Sequence, residues 1–164
     1  MTERPVVPRD ADERTVLTAT LAWLRSAVVH KASGVDRDIA IGTATASGLD
    51  LLGVVRHLAY TERFWFRWAF AGEDVELPWS DEVPDADFQL PPGWSAEDVI
   101  AFYREECAAS DAVVAAASDL GQLCARERRP TSLRWVLVHM IRETARHAGH
   151  ADIFREHIDG LVGE

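Results

Sequence analysis

The sequence has little of several features that would each indicate a class of protein. It has two cysteines, Cys107 and Cys124, and no CxxC pair, so we expect two reduced thiols and no disulfide framework. It has no run of about 18 uncharged apolar residues, so we expect no membrane-spanning helix. Its first residues, MTERPVVPRDADER, are charged and contain proline where a signal peptide has an apolar core. We therefore expect a cytoplasmic protein.

The chain also has fewer basic residues than acidic ones, 17 against 27. The formal net charge is −10, and a nucleic-acid partner is not expected because such partners are held by clustered cations. Hydrophobic residues make up 48% of the chain and charged residues 27%, which is the balance of a folded globular protein. The 164 residues suit one hydrophobic core, so we predict a single domain over residues 1–164.

Apolar residues recur at helical spacing in four segments. The predicted helices cover residues 10–30, 51–70, 96–117 and 133–158. Candidate N-caps for the last three are Ser47, Ser95 and the pair Thr131 and Ser132. Residues 31–48 contain glycines and β-branched residues and are predicted to be a loop. Residues 73–94 contain four prolines and are predicted to be a second, longer loop. The pattern predicts an all-α fold, a single four-helix bundle with a long loop between the second and third helices.

The inward stripe of the fourth predicted helix is apolar at both ends and polar in its middle. Glu143 and His147 are four residues apart, so on a helix they lie about 40° apart around the axis and about 6 Å along it. His57 lies on the inward stripe of the second predicted helix. Two histidines and one carboxylate are typical of a catalytic metal site with open positions, and zinc suits these ligands.

Other interpretations of the same residues remain open. A glutamate and a histidine four apart on a helix also form simple hydrogen-bonded pairs, and a histidine on an apolar stripe is also found as a core residue. His150 is a candidate to donate a hydrogen bond to a metal ligand or to contact the substrate, and Asp152 or Glu62 are candidates to orient a ligand histidine. His30, His139 and His157 are predicted to have no role at the site, and Trp79 to be a packing anchor.

Four stretches carry a resemblance to a known family: GLDLLGVVRHLAYTERFWFRWAFAGED, LPWSD, YREECAASDAVVAAA and SLRWVLVHMIRETARHAGHADIFRE. They resemble the DinB/YfiT-like superfamily of small four-helix metalloproteins, in particular its actinobacterial branch. In this superfamily a histidine of the second helix and an H-x-x-x-H pair of the fourth bind a divalent metal. The matching positions here are His57, Glu143 and His147, so the resemblance implies a site for Zn²⁺ or Ni²⁺.

Glu143 departs from the all-histidine pattern of the superfamily. A glutamate at this place is similar to the metal domain of mycothiol-dependent maleylpyruvate isomerase. The resemblance therefore implies a metal-dependent thiol S-transferase or isomerase that uses mycothiol or a similar thiol and a small-molecule substrate. Arg142 or Arg146 would be available for an anionic group of that substrate.

Two other functions are compatible with the sequence. A metal-dependent hydrolase would use the same ligands, with Glu62 or another carboxylate as general base. A non-catalytic protein that binds a metal or small molecule in a stress response would need no base. The second predicted helix also has more aromatic residues than one face can bury, which predicts a homodimer. They are Phe64, Trp65, Phe66, Trp68 and Phe70.

Overall fold

In a computed structural model, which describes residues 4–126 and 129–163, the chain is helical. Five α-helices follow one another in the described residues: α1 Glu13–Ala32, α2 Arg37–Gly42, α3 Leu51–Glu62, α4 Ala96–Ala116 and α5 Leu133–Asp159. α3 continues directly as a π-helix over Arg63–Phe70, and a 3₁₀ turn forms at Ala86–Phe88. None of the described segments is a strand, and none of the described helices is long and apolar enough to cross a membrane.

The helix ends are set by the residues that cap them. The side chain of Asp12 accepts a hydrogen bond from the Thr15 amide at the start of α1. Ser95 and Asp98 form a reciprocal capping box at the start of α4. Ser132 caps α5, and Gly160, with φ of 78°, ends it in the left-handed conformation that favours glycine. The predicted limits of these three helices are therefore correct to within about three residues.

Two predictions about the loop before α3 are wrong. The predicted loop 31–48 contains α2, which is capped by Asp36 through the amides of Asp38 and Ile39. Six residues are too few to display an apolar periodicity, so this helix gives no signal of that kind. The N-cap of α3 is Asp50, whose carboxylate accepts from the Gly53 amide at 2.9 Å, and not Ser47.

The π-helix changes which aromatic residues of the second predicted helix face the core. A regular α-helix predicts Phe64 and Trp68 inside. Phe66, Ala69 and Phe70 are the buried residues instead, and Phe64 and Trp68 stay half-buried. The Ala71 amide donates to the Phe66 carbonyl at 2.9 Å, an i to i+5 bond that widens the turn. The wider turn shifts the register of every side chain after Glu62.

α5 packs along α1 and against α3, and α4 packs against α3 and the π-helix. Two apolar clusters fill the interior. One is built around Leu51, Leu58, Val99 and Tyr103, and the other around Leu21, Phe66, Leu133, Val136 and Met140. The four longest helices correspond to the four predicted segments. This packing brings the middle of α3 beside the middle of α5, where the predicted ligands lie.

Candidate metal centre

The three predicted ligands converge in space. α3 supplies His57, and successive turns of α5 supply Glu143 and His147. Glu143 Oε1 lies 3.2 Å from His147 Nε2 and 3.5 Å from His57 Nε2. One donor atom from each of the three residues lies within 4.8 Å of the other two. The spacing seen in the sequence thus produces one cluster contributed by two helices.

The cluster has dimensions suited to a cation. Two donors that each lie about 2.1 Å from a tetrahedral ion are about 3.4 Å apart, close to both of the distances from Glu143 Oε1. His57 Nε2 is buried and makes no hydrogen bond. A buried polar atom without a partner is rare in native proteins, and a cation would supply the missing partner. The donor set therefore fits a divalent metal.

Asp87 holds the other nitrogen of His57. Its Oδ2 lies 2.6 Å from His57 Nδ1, and the residue is 2% exposed. Phe88 stacks on the imidazole, with ring centroids 4.2 Å apart and 9° between the planes. Arg56 fixes the 3₁₀ turn by donating to the Ala86 carbonyl at 2.6 Å. An imidazole that donates its Nδ1 proton to this carboxylate would present the Nε2 lone pair to the centre.

Asp87 is the observed partner of His57, and the sequence did not single it out. The two residues proposed to orient a ligand histidine, Glu62 and Asp152, have other partners. Glu62 is fully buried and receives two hydrogen bonds from Arg25, at 2.8 and 2.6 Å. Asp152 pairs with Lys31 at 3.2 Å. Both carboxylates are therefore engaged away from the ligand histidines. The length of the loop 73–94 was the one signal that pointed toward Asp87.

His147 is held in a form suited to coordination. Burial, followed by the nearby charge of His57, lowers its pKa from 6.5 to about 4, so the imidazole is neutral at neutral pH. Its Nδ1 lies 3.3 Å from Nδ1 of His150. His150 thus lies at the nitrogen of His147 that faces away from Glu143, where a residue that orients a candidate ligand ring is expected.

Glu143 is ionised in these surroundings. Burial opposes its ionisation, but His147, His57 and Arg146 together hold the pKa of its carboxyl below the ordinary value. Arg146 Nη1 lies 3.8 Å from Glu143 Oε2. Arg142 instead donates to Nδ1 of His139 at 2.9 Å. The two arginines named in the sequence analysis therefore lie at the edge of the centre.

A cleft of about 360 Å³ opens beside His57 and Glu143. It is lined by His57, Thr61, Phe64, Trp65, Trp79, His139 and Glu143. Trp79 therefore contributes to the wall of the cleft, beyond the packing role predicted for it. His139, for which no role at the site was predicted, lines the same cleft and stacks on Trp135 with ring centroids 5.0 Å apart.

Comparison with models of protein families matches residues 16–160 to the family described as Mycothiol-S-transferase. The chain belongs to this family. The mycothiol S-transferase match includes most of α1, all of α2 to α5 and the three converging residues, and it confirms the predicted resemblance to the DinB/YfiT-like superfamily. No individual curated protein matches the chain.

Proposed function

We propose that this protein binds a divalent cation through His57, Glu143 and His147 and joins a mycothiol-type thiol, through its sulfur, to a small electrophile. The observation that carries the proposal is the convergence of these three side chains, two of which line a cleft. Membership in the mycothiol S-transferase family supports the choice of thiol. An isomerisation that adds and then removes the same thiol would use the same groups.

The residues at the centre have different roles in this proposal. His57 and His147 offer imidazole nitrogens, and Asp87 and His150 fix the orientation of those rings. Glu143 contributes a negative charge that partly balances the cation. Three protein ligands leave coordination positions open to a small molecule. A cation held there would favour the thiolate of an incoming thiol, which is the attacking form.

The ligand types also bear on the choice of metal. Two imidazoles and a carboxylate suit Zn²⁺, and Ni²⁺ accepts the same nitrogen and oxygen donors. A hydrolase that uses the same cation is less well supported, because Glu62, the candidate general base, is fully buried and bound to Arg25. We therefore favour thiol transfer with Zn²⁺.

Calorimetric titration of metal-free protein with Zn²⁺ tests the first part of the proposal. We expect saturable binding that weakens more than about 100-fold in His57→Ala and in His147→Ala, a larger loss than substitution of a residue that only orients a ligand causes. His157→Ala is the matched control, because this histidine is exposed near the end of the same helix and bonds to the Ile153 carbonyl. Equal affinities in all four proteins would exclude the site.

The second part is tested by turnover of a panel of electrophiles with metal-loaded protein, in the presence and absence of mycothiol. We expect product only with the thiol. Thiol-independent ester or amide cleavage would favour the hydrolase. Bound metal with no turnover in either condition would favour a non-catalytic metal-binding protein.

We further propose that α1, α3 with its π-helix, α4 and α5 form a four-helix bundle within one domain over residues 1–164, and that this domain forms a homodimer. Half-exposed apolar residues on the outer face of α5, Trp135 and Val138, support association. Sedimentation at micromolar concentration is expected to give twice the mass of the chain. A monomer mass would overturn the dimer.

A further inference from the structure

We propose that the electrophile is a flat, apolar, aromatic molecule that binds in the cleft beside His57 and Glu143. This assignment rests on the proposed function, because it names the second substrate of the same site. It follows from the residues that line the cleft, from the partners of their polar atoms and from the local helix geometry.

The walls of the cleft are aromatic. Phe64 meets Trp65 at 5.1 Å and Trp79 at 5.8 Å between ring centroids, both edge to face. Trp65 in turn contacts His139 at 4.8 Å. The cleft of about 360 Å³ is at the small end of the range for ligand pockets. It therefore suits a compound of one or two fused rings, which can make further edge or offset contacts with these walls.

Two polar groups that line the cleft beside His57 and Glu143 already have partners. The Thr61 hydroxyl donates to the His57 carbonyl at 2.8 Å. Nδ1 of His139 accepts from Arg142 at 2.9 Å. Burial and then Arg142 lower the pKa of His139, which disfavours a positive charge on this residue. A sugar-like or strongly charged electrophile would lose hydration here and gain few hydrogen bonds in return.

The π-helix produces this surface. It directs Phe66, Ala69 and Phe70 to the core and leaves Phe64 and Trp65 half-buried at the cleft. π-helical turns are rare and are frequently found at functional sites. Half-buried aromatic rings retain apolar surface in contact with water, and a flat apolar ligand would remove that surface from water.

The transfer step is balanced without a further reactant. The thiolate sulfur attacks the electrophilic carbon carried by the ring, and a carbon–sulfur bond forms. The bond between that carbon and the leaving group, for example chloride, breaks, and the leaving group departs with the electron pair. The thiol proton passes to solvent. The product is an aryl or arylmethyl thioether. The substitution requires no external oxidant or reductant.

Equilibrium dialysis measures the binding step without any reaction. The probes are 1-naphthol and decahydro-1-naphthol, which share a carbon skeleton but differ in flatness and aromaticity. We expect 1-naphthol to bind at least about tenfold more tightly, the ratio that corresponds to about 1.4 kcal/mol of aromatic contact. Equal binding of the two probes would overturn the assignment.

Two variants locate the binding. Trp79→Leu and Trp65→Leu each keep an apolar side chain and are expected to weaken 1-naphthol binding by about tenfold. Trp23→Leu is the control, because Trp23 is a half-buried tryptophan on α1 that does not line the cleft. Far-UV circular dichroism identifies any variant that fails to fold. The assignment would be overturned if Trp23→Leu weakened 1-naphthol binding as much as the cleft variants do. It would also be overturned if both cleft variants folded and bound 1-naphthol as tightly as the parent protein.

Turnover separates this inference from the proposed function. With mycothiol and Zn²⁺, we expect the rate enhancement over the uncatalysed reaction to be at least about tenfold larger for 1-chloro-2,4-dinitrobenzene than for iodoacetamide. Trp79→Leu should lower kcat/KM for the aromatic compound alone. Equal enhancement of both would overturn the aromatic assignment and leave thiol transfer standing. Naphthol binding without turnover of any electrophile would overturn the proposed function, and the substrate assignment with it.

Discussion

His57 has a different neighbour on each part of its ring. Asp87 binds Nδ1, Phe88 stacks on one face, and Glu143 lies 3.5 Å from Nε2. A side chain with these contacts has little freedom to rotate, so its lone pair is directed at one point. Such preorganisation lowers the entropy cost of coordination, because the ring need not be ordered when the cation binds.

Asp87→Asn is expected to weaken Zn²⁺ binding by about 10- to 100-fold. Asparagine has nearly the same shape, but it loses the charge that makes Nδ1–H a strong donor and Nε2 a better ligand. Competition with a chromophoric chelator measures the affinity. Asp85→Asn is the matched control, since Asp85 is an exposed acid in the same loop. An unchanged dissociation constant in Asp87→Asn would show that Asp87 does not orient the ligand.

At the scale of the element, α3 and the 3₁₀ turn approach each other closely at Gly53. A Cβ atom at this position would lie 2.6 Å from the Phe88 carbonyl oxygen. Gly53→Ala must therefore displace the turn that carries Asp87. We expect it to lower the free energy of unfolding by about 1–3 kcal/mol. We also expect weaker Zn²⁺ binding, because His57 loses its partner, and urea unfolding and metal titration measure the two effects.

Gly149→Ala is the control for this substitution. Gly149 lies inside α5, and a Cβ there meets nothing within 4 Å. Alanine is a better helix former than glycine, so the free energy of unfolding of this variant is expected to rise by about 0.5–1 kcal/mol. If Gly53→Ala behaved like Gly149→Ala and gained stability, the close approach of α3 to the turn would be wrong.

The same elements explain which features could be predicted from the sequence. α1, α4 and α5 follow from caps and from apolar periodicity, which are local signals. The pairing of Glu143 with His147 follows from helix geometry, and His57 from its place on an apolar stripe. The contact between Asp87 and His57 joins residues 30 positions apart, and no local pattern encodes it. The π-helix was missed because its wider turn depends on the packing of Phe66 and Phe70 and not on residue spacing.

At the scale of the whole molecule, ionisable groups in the interior tie the helices together. Arg25 on α1 bonds to Glu62 on α3 and, at 2.7 Å, to Asp111 on α4. α5 contributes His147 and Glu143 to the same interior. These groups stabilise the folded chain only while they keep their protonation states and partners, since an unpaired buried charge destabilises it by several kcal/mol. The stability of the whole chain should therefore depend on pH.

The metal-free protein is expected to lose stability as the pH falls from about 6.5 to about 4. The pKa of His147 is lowered from 6.5 to about 4 by burial and by His57. Between these values the unfolded chain binds a proton that the folded chain does not, so protonation favours unfolding. This difference between the folded and unfolded pKa values of His147 corresponds to a loss of at most about 3 kcal/mol in the free energy of unfolding. Urea unfolding at a series of pH values with a chelator present measures the slope.

His147→Gln isolates this contribution, because glutamine does not titrate and can still hydrogen-bond to Glu143. The variant should show a shallower loss of stability between pH 6.5 and 4 than the parent protein. His157→Gln, on the exposed end of α5, should keep the slope of the parent. Parallel slopes in the parent protein and His147→Gln would mean that His147 gains its proton as easily in the folded chain as in the unfolded one. That result would contradict its burial against His57.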